Sequence, residues 1–415
     1  LALVPPIALR YPIKKWAAAA ALSGALAYSV ISGATVPTQR AFLMIGLVLA
    51  AVILDRRGLS MRMVAWAAAV ILLLRPESLL GASFQLSFAA VTALIAAYEV
   101  LRERRVYGNA GRRSWFRVFL IYLGGVALTT LIAGAATAPF AIYNFNRMAD
   151  FGLVANLVGV PVTALWIMPF AVAAFALMPF GLESIALAPM GWGLDVLVWV
   201  AKSVAAWPGA ITLIPAMPTW GLAIVAIGGL WLTIWRSRWR LLGGPVIVAG
   251  LASVFAVTPP DVLIGGRGKV MAVQGADGSL MVSDTRKSKF GQGIWLRRAG
   301  LKKALSWPRE GYSRDRRLIC DGLGCLYRKG GVTVALTKNY GALVEDCRLA
   351  DLVVSLEPVR GKCPAPLAVI DRFDLWRNGA YAIWIGGDGG VRIESVNGAR
   401  GDRPWVHRPG KTGGT

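Results

Sequence analysis

Long apolar runs alternate with short basic clusters over the first 260 residues, and beyond Pro259-Pro260 the pattern changes to short runs separated by glycine-rich turns. A membrane-spanning helix needs about 20 apolar residues. Uncharged runs of that order are Trp16–Gln39, Ser78–Tyr98, Val118–Asn146, Phe151–Leu182, Ser203–Trp235 and Leu241–Pro260. Two shorter ones, Ala41–Leu54 and Met63–Leu74, lie between basic clusters. Those clusters are Lys14/Lys15, then Arg56, Arg57 and Arg62, then the stretch 102–117 with six arginines, then Arg236, Arg238 and Arg240. Basic residues gather on the cytoplasmic side of a membrane, so an even number of crossings separates each neighbouring pair. The runs supply two, two and four, provided that Gly191–Trp207 crosses. That segment carries Asp195 and Lys202, and the alternative is a flat interfacial helix, with Phe151–Leu182 supplying the missing crossing.

Leu241–Val257 then leaves the cytoplasm and puts residues 261–415 outside it. The expected organisation is a transmembrane domain over 1–258 with about eight membrane segments, an extracytoplasmic α+β domain over 259–400, and a polar tail over 401–415. Composition agrees. Of 415 residues 56% are hydrophobic and 16% charged, against about 25% charged in soluble domains, which excludes a purely cytosolic enzyme and a secreted or fibrous protein. The net charge of +23 divides almost evenly, with 19 Lys+Arg against 7 Asp+Glu in residues 1–260 and 26 against 15 in residues 261–415. Residue 1 is Leu, and Leu1–Arg10 lacks the basic start and apolar core of a signal peptide. The chain therefore reads as a piece of a longer protein.

Three polar residues are out of place for lipid-facing helices. Arg40 falls about one turn inside a helix that Pro37 would start, beside free N–H groups that favour anions. An outward-facing anion site and an arginine snorkelling to headgroups are the two readings. Gln85, between Ser83 and Ser87, serves either as a channel contact or as interhelical packing. Asn156 precedes Pro161 in a run that also holds Pro169; it lines a broken, water-filled path or bonds a neighbouring helix.

These stretches carry a resemblance. Gly-Ala-Thr-Val-Pro-Thr-Gln-Arg-Ala (33–41), Arg-Pro-Glu-Ser-Leu-Leu-Gly-Ala-Ser-Phe-Gln-Leu-Ser-Phe (75–88) and Ala-Asn-Leu-Val-Gly-Val-Pro (155–161) resemble the hallmark segments of the ComEC competence family. The resemblance covers roughly residues 1–258. It implies an inner-membrane channel that passes single-stranded DNA into the cytoplasm, and a missing N-terminal portion with further helices and an OB-like domain. By position, Arg40, Gln85 and Asn156 match polar positions of the family's motifs. A polyanion channel needs cationic contacts at its mouth and no tight trap inside, and a basic external domain concentrates DNA through phosphate attraction. The chain has no Gly-x-x-x-x-Gly-Lys-Ser/Thr loop, so transport needs an external cytoplasmic motor. Assembly as a homo-oligomer stays open.

In the C-terminal part, β-like runs fall at Lys269–Val273, Ser279–Ser283, Val332–Leu336, Asp351–Leu356, Ala380–Ile385 and Val391–Val396. The stretch 371–382 reads as a loop. Residues 262–284 resemble the opening strands of the metallo-β-lactamase-like domain that ends many ComEC proteins. A dinuclear hydrolase of that type needs a His-x-His-x-Asp-His cluster. This chain has one histidine, His407, in the tail, and Asp284, Asp351 and Asp371 cannot build the site without imidazole. A degenerate, non-cleaving domain with no metal and no cofactor is the expectation.

Cys320, Cys325, Cys347 and Cys363 have spacings unlike zinc knuckles, and in an oxidising compartment an even count reads as disulfides. Three connectivities are open, of which Cys320–Cys325 with Cys347–Cys363 is preferred. Cations interleave with aromatics at Trp295–Arg298, at Lys302/Lys303 near Trp307, and at Arg314, Arg316 and Arg317 after Tyr312. Such patches suit stacking on single-stranded DNA or form a solvated face. Two rival functions are a membrane-bound metal-dependent nuclease and a small-molecule secondary transporter, whose sign would be inverted repeats.

Overall fold

The computed structural model describes residues 12–33, 35–55, 60–104, 114–266, 268, 270–361, 363 and 367–403. Two compact units emerge. The first takes residues up to Thr212 with Met217–Phe255, and the second takes Leu213–Ala216 with the chain from Ala256 onward.

The described part of the first unit is helical: α1 (Ile13–Ile31), α2 (Val36–Ile53), α3 (Met61–Leu74), α4 (Ala82–Arg104), α5 (Trp115–Phe145), α6 (Gly152–Val162), α7 (Met168–Leu177), α8 (Glu183–Ala205), α9 (Thr219–Ile234) and α10 (Gly243–Ala252). Among the described residues, five stretches are long and apolar enough to cross a membrane: Ala82–Arg102, Trp115–Phe145, Gly152–Phe180, Glu183–Ala205 and Arg238–Ala256. Ala41–Ile53, Met61–Leu74 and Thr219–Ile234 are shorter apolar helices. Large apolar side chains such as Trp199, Phe175 and Phe255 stand exposed on these helices, as lipid-facing surfaces require and aqueous ones do not tolerate over such areas.

Two readings of the sequence need correction here. The run Trp16–Gln39 is not one span. It turns at Ser32-Gly33, where Gly33 takes the left-handed φ of 77°, and Pro37 sits in the first turn of α2. The run 151–182 is not broken at its prolines: α6 continues through a π turn at Thr163–Ile167 into α7. Pro169 has no N–H to offer the preceding turn, and a widened turn accommodates that loss without ending the helix. Gly191–Trp207 falls mostly within α8, whose 23 residues reach about 34 Å, the length that the crossing alternative needs.

Helix ends are stitched together. Lys15 at the start of α1 pairs with Asp55 just past α2, and Arg236 just past α9 pairs with Glu99 in α4 at 3.1 Å. A short strand after α5, β1 (Arg147–Ala149), pairs with β2 (Ile211–Leu213) before α9, and Thr212 Oγ1 donates to Asp150 at 2.7 Å.

Among its described residues the second unit holds two six-stranded sheets. One runs β12 (Ala368–Ile370), β11 (Leu352–Ser355), β10 (Val332–Thr337), β9 (Gly324–Lys329), β8 (Leu318–Cys320), β7 (Gly311–Tyr312). The other runs β14 (Val391–Ser395), β13 (Tyr381–Ile385), β3 (Val262–Ile264), β4 (Met271–Gln274), β5 (Leu280–Val282), β6 (Leu305–Ser306). Alternation along each strand builds two interfaces. Val262, Ile264, Met271 and Val273 meet Leu318, Tyr327, Val334, Leu336, Leu352 and Val354 in the core between the sheets. The intervening residues face outward under helices: Ala335 and Val353 beneath α12 (Leu343–Leu349), and Ala272 and Val282 beneath α11 (Lys289–Arg298). The result is a helix–sheet–sheet–helix stack, whose strands read as near-continuous apolar runs because both faces are covered.

The stretch 371–382, read from sequence as a loop, contains helix α13 (Arg372–Asn378) and most of the approach to β13. Asp371 accepts from Phe373 N and Asp374 N, and Asp374 accepts from Asp371 N, a reciprocal capping box. α14 (Val396–Arg400) follows β14.

Candidate functional site

In the first unit the 75–88 segment divides its labour by helical spacing. Phe84 and Phe88, one turn apart, stack at 4.3 Å and bury against Ala67 and Ile71 of α3. Gln85, next to Phe84 in the first turns of α4, faces α5 instead. Its Oε1 accepts from Asn144 Nδ2 at 3.0 Å, and its Nε2 donates to Leu79 O at 3.1 Å. Gln85 thus ties α4 to α5. Asn144 was hidden inside the run Val118–Asn146, where two amides ending an otherwise apolar run were the available signal. Tyr143 Oη lies 3.1 Å from Thr219 Oγ1, tying α5 to the start of α9. Asn146 ends α5 with a left-handed φ of 54°; it is buried, and among the described residues its Nδ2 has no partner.

Asn156 lies on α6 with an exposed side chain and makes no interhelical bond among the described residues. It lines a cleft of about 460 Å³ with Gly159, Thr163, Leu197 and Ala201, between α6 with its π turn and α8. The helices approach closely there: a Cβ on Gly159 would lie 3.2 Å from Leu197 and one on Gly193 3.0 Å from Ile167. Trp166 Nε1 donates to Pro189 O at 2.9 Å across the same contact. The Gln85–Asn144 tie and the Asn156 cleft are separate features. Arg40 belongs to α2, but its side chain lies outside the described residues.

In the second unit the structure joins Cys320 to Cys325 and Cys347 to Cys363. The first pair are directly opposite partners on β8 and β9, and the second holds α12 to the loop before β12. The three acids considered for a metal each serve the backbone. Asp284 accepts from Arg286 N and Lys287 N, Asp351 from Thr333 N, and Asp371 caps α13. Among the described residues no three His, Cys, Asp or Glu side chains converge in a way that could hold a metal, and His407 lies outside them.

The aromatic patches also need correction. Trp307 is buried and its Nε1 donates to Met281 O at 2.9 Å, while Trp295, on α11, packs down onto Val270, Ala272, Leu280 and Val282. Neither ring is free to stack on a base. Tyr312, Arg314 and Arg316 remain exposed.

Two carboxyls respond oppositely to their surroundings. Burial would raise Asp315, but bonds from Ser313 Oγ, Ala276 N and Arg317 N outweigh it and hold the group below its ordinary value. Asp346, half-buried in α12, is raised by burial and by the nearby Asp321 and Glu345 charges, against the bond from Thr337. For a lowered carboxyl, stability is present above the unfolded value near pH 4 and lost as pH falls through the folded one. For a raised carboxyl the ionised form opposes folding, so stability is lost as pH rises through the interval between the two. Asp346→Asn is therefore expected to raise the melting temperature at pH 7, with the gain vanishing near pH 3.5. Thermal melts of both proteins across that range check it.

These features define a multi-pass helical membrane protein that carries an α+β unit at its C-terminal side. Residues 1–239 match the family described as Competence protein, and the chain belongs to that family. It is 29% identical over 146 residues to ComE operon protein 3 of Bacillus subtilis (strain 168), a match covering 35% of this chain and 17% of that protein. It is 34% identical over 152 residues to Competence protein ComA of Neisseria gonorrhoeae, covering 34% of this chain and 21% of that protein. No solved structure matches the chain.

Proposed function

We propose that this chain forms an inner-membrane channel for uptake of single-stranded DNA, with the second unit outside the cytoplasm guiding the strand without cutting it. Membership of the Competence protein family over residues 1–239 is the observation that carries this reading. The stitched helix ends support the orientation. Even crossing numbers put the start of α1, the end of α2, the end of α4 and the end of α9 on one side, and Lys15–Asp55 and Arg236–Glu99 join ends from that set. The basic clusters make that side the cytoplasmic one. The loops after α5 and before α9, which pair through β1 and β2, then share the outer side with residues 261–415. A cytoplasmic motor would pull the strand through.

The helix–sheet–sheet–helix stack supports reading the second unit as a metallo-β-lactamase-like domain, and the bonds made by Asp284, Asp351 and Asp371 to backbone N–H groups favour a degenerate, non-hydrolytic version. Arg40 is assigned to the channel's outer mouth. Arg40→Ala is expected to lower transformation at least tenfold with unchanged protein level, measured by transformant counts beside an immunoblot. Normal transformation by that variant removes Arg40 from the mechanism.

A further inference from the structure

We propose that the α11 face of the second unit docks on an anionic lipid surface. α11 packs Trp295 and Leu296 onto Val270, Ala272, Leu280 and Val282. At 3.6 residues per turn the opposite face begins at Phe290, which is 81% exposed, and continues one turn on at Ile294, which is 37% exposed. Leu305, beyond the helix, is also exposed.

Cations surround this apolar stripe. Residues 285–309 hold eight Lys and Arg and no Asp or Glu. Arg286, Lys287, Lys289, Arg298, Lys302 and Lys303 are exposed. A lone exposed Phe is ordinary on a protein surface; one set among an excess of cations, of which, among the described residues, only Lys287 is paired with a neighbouring acid, Asp284 at 3.5 Å, is the make-up of a helix that lies on an anionic interface. Charge complementarity thus selects a polyanionic partner, and one further observation selects lipid over nucleic acid. The tryptophans that would stack on bases are committed to the unit's interior. The inference does not depend on the DNA reading.

The test uses the full chain in nanodiscs, with Phe290→Cys carrying a bimane label and nitroxide-bearing lipids as quencher. With phosphatidylglycerol in the disc the label is expected to be quenched, and quenching is expected to be lost when Lys287, Lys289 and Arg298 are changed to Glu. A label at Tyr312→Cys, on β7, is expected to stay unquenched. An unquenched Phe290 site, or equal quenching at both sites, overturns the proposal. So does a Phe290 label that ignores the lipid and is shielded by an added oligonucleotide, which would make this a nucleic-acid face.

Discussion

Gly250→Val is expected to remove most of the folded protein from the membrane fraction. α9 and α10 meet backbone to backbone through glycines seven apart on each helix, Gly221 and Gly228 on one, Gly243 and Gly250 on the other. A Cβ on Gly250 would lie 2.8 Å from both Gly221 O and Val225 N, and one on Gly228 2.9 Å from Gly243 O. Those neighbours are main chain and cannot swing aside. Between helices in lipid there is no hydrophobic gain to offset a lost fit, so close packing carries the association. Overpacking costs about 1–3 kcal/mol even where side chains can yield, and here the expected cost is at the top of that range. Gly229 has nothing within 4 Å of where a Cβ would stand, so Gly229→Ala is expected to accumulate normally. Abundance in the membrane fraction and the melting temperature in detergent compare the two.

The second large effect is expected at Asp261. This carboxylate is 3% exposed; its Oδ1 accepts from Lys329 Nζ at 2.6 Å and its Oδ2 from Ile385 N at 2.8 Å. It therefore joins β9 of one sheet to β13 of the other. Asp261→Ala leaves a half-buried ammonium and a buried N–H without their partner, a loss of about 3–5 kcal/mol for a fully buried pair. Lys329 keeps some solvent contact, which puts the expected value near the lower figure. Lys329→Met leaves the buried carboxylate with only its main-chain bond and is expected to cost a similar amount. Urea unfolding followed by a probe in the second unit measures both.

The membrane helices were legible because lipid imposes one simple demand, an apolar run of sufficient length, and α4 and α5 follow from it, whereas α8, with Glu183, Asp195 and Lys202 along it, does not. What a run cannot show is an internal turn, and Ser32-Gly33 divides Trp16–Gln39 on the conformational freedom of a single glycine. Nor does a run show which helices meet. The glycines at 221, 228, 243 and 250 are visible in sequence, yet their role exists only once α9 and α10 are paired, and Gln85 needed Asn144 on another helix. In the second unit, β10, β11 and β13 were readable as apolar runs. β9 was not, because Arg328 and Lys329 end it, and β8 was too short. The Asp-Arg-Phe-Asp start of α13 is a capping box in plain view, masked by the charge density around it. Trp295 and Trp307 misled because tryptophan beside cations has the same sequence signature whether its ring faces solvent or core.

The most direct test of the uptake reading is the fate of labelled duplex DNA offered to competent cells with and without this chain. With the chain, label is expected in the cytoplasm as single strands. Without it, DNA should still bind the cell but stay outside the inner membrane. Single-stranded label entering the cytoplasm equally well in both would contradict the account.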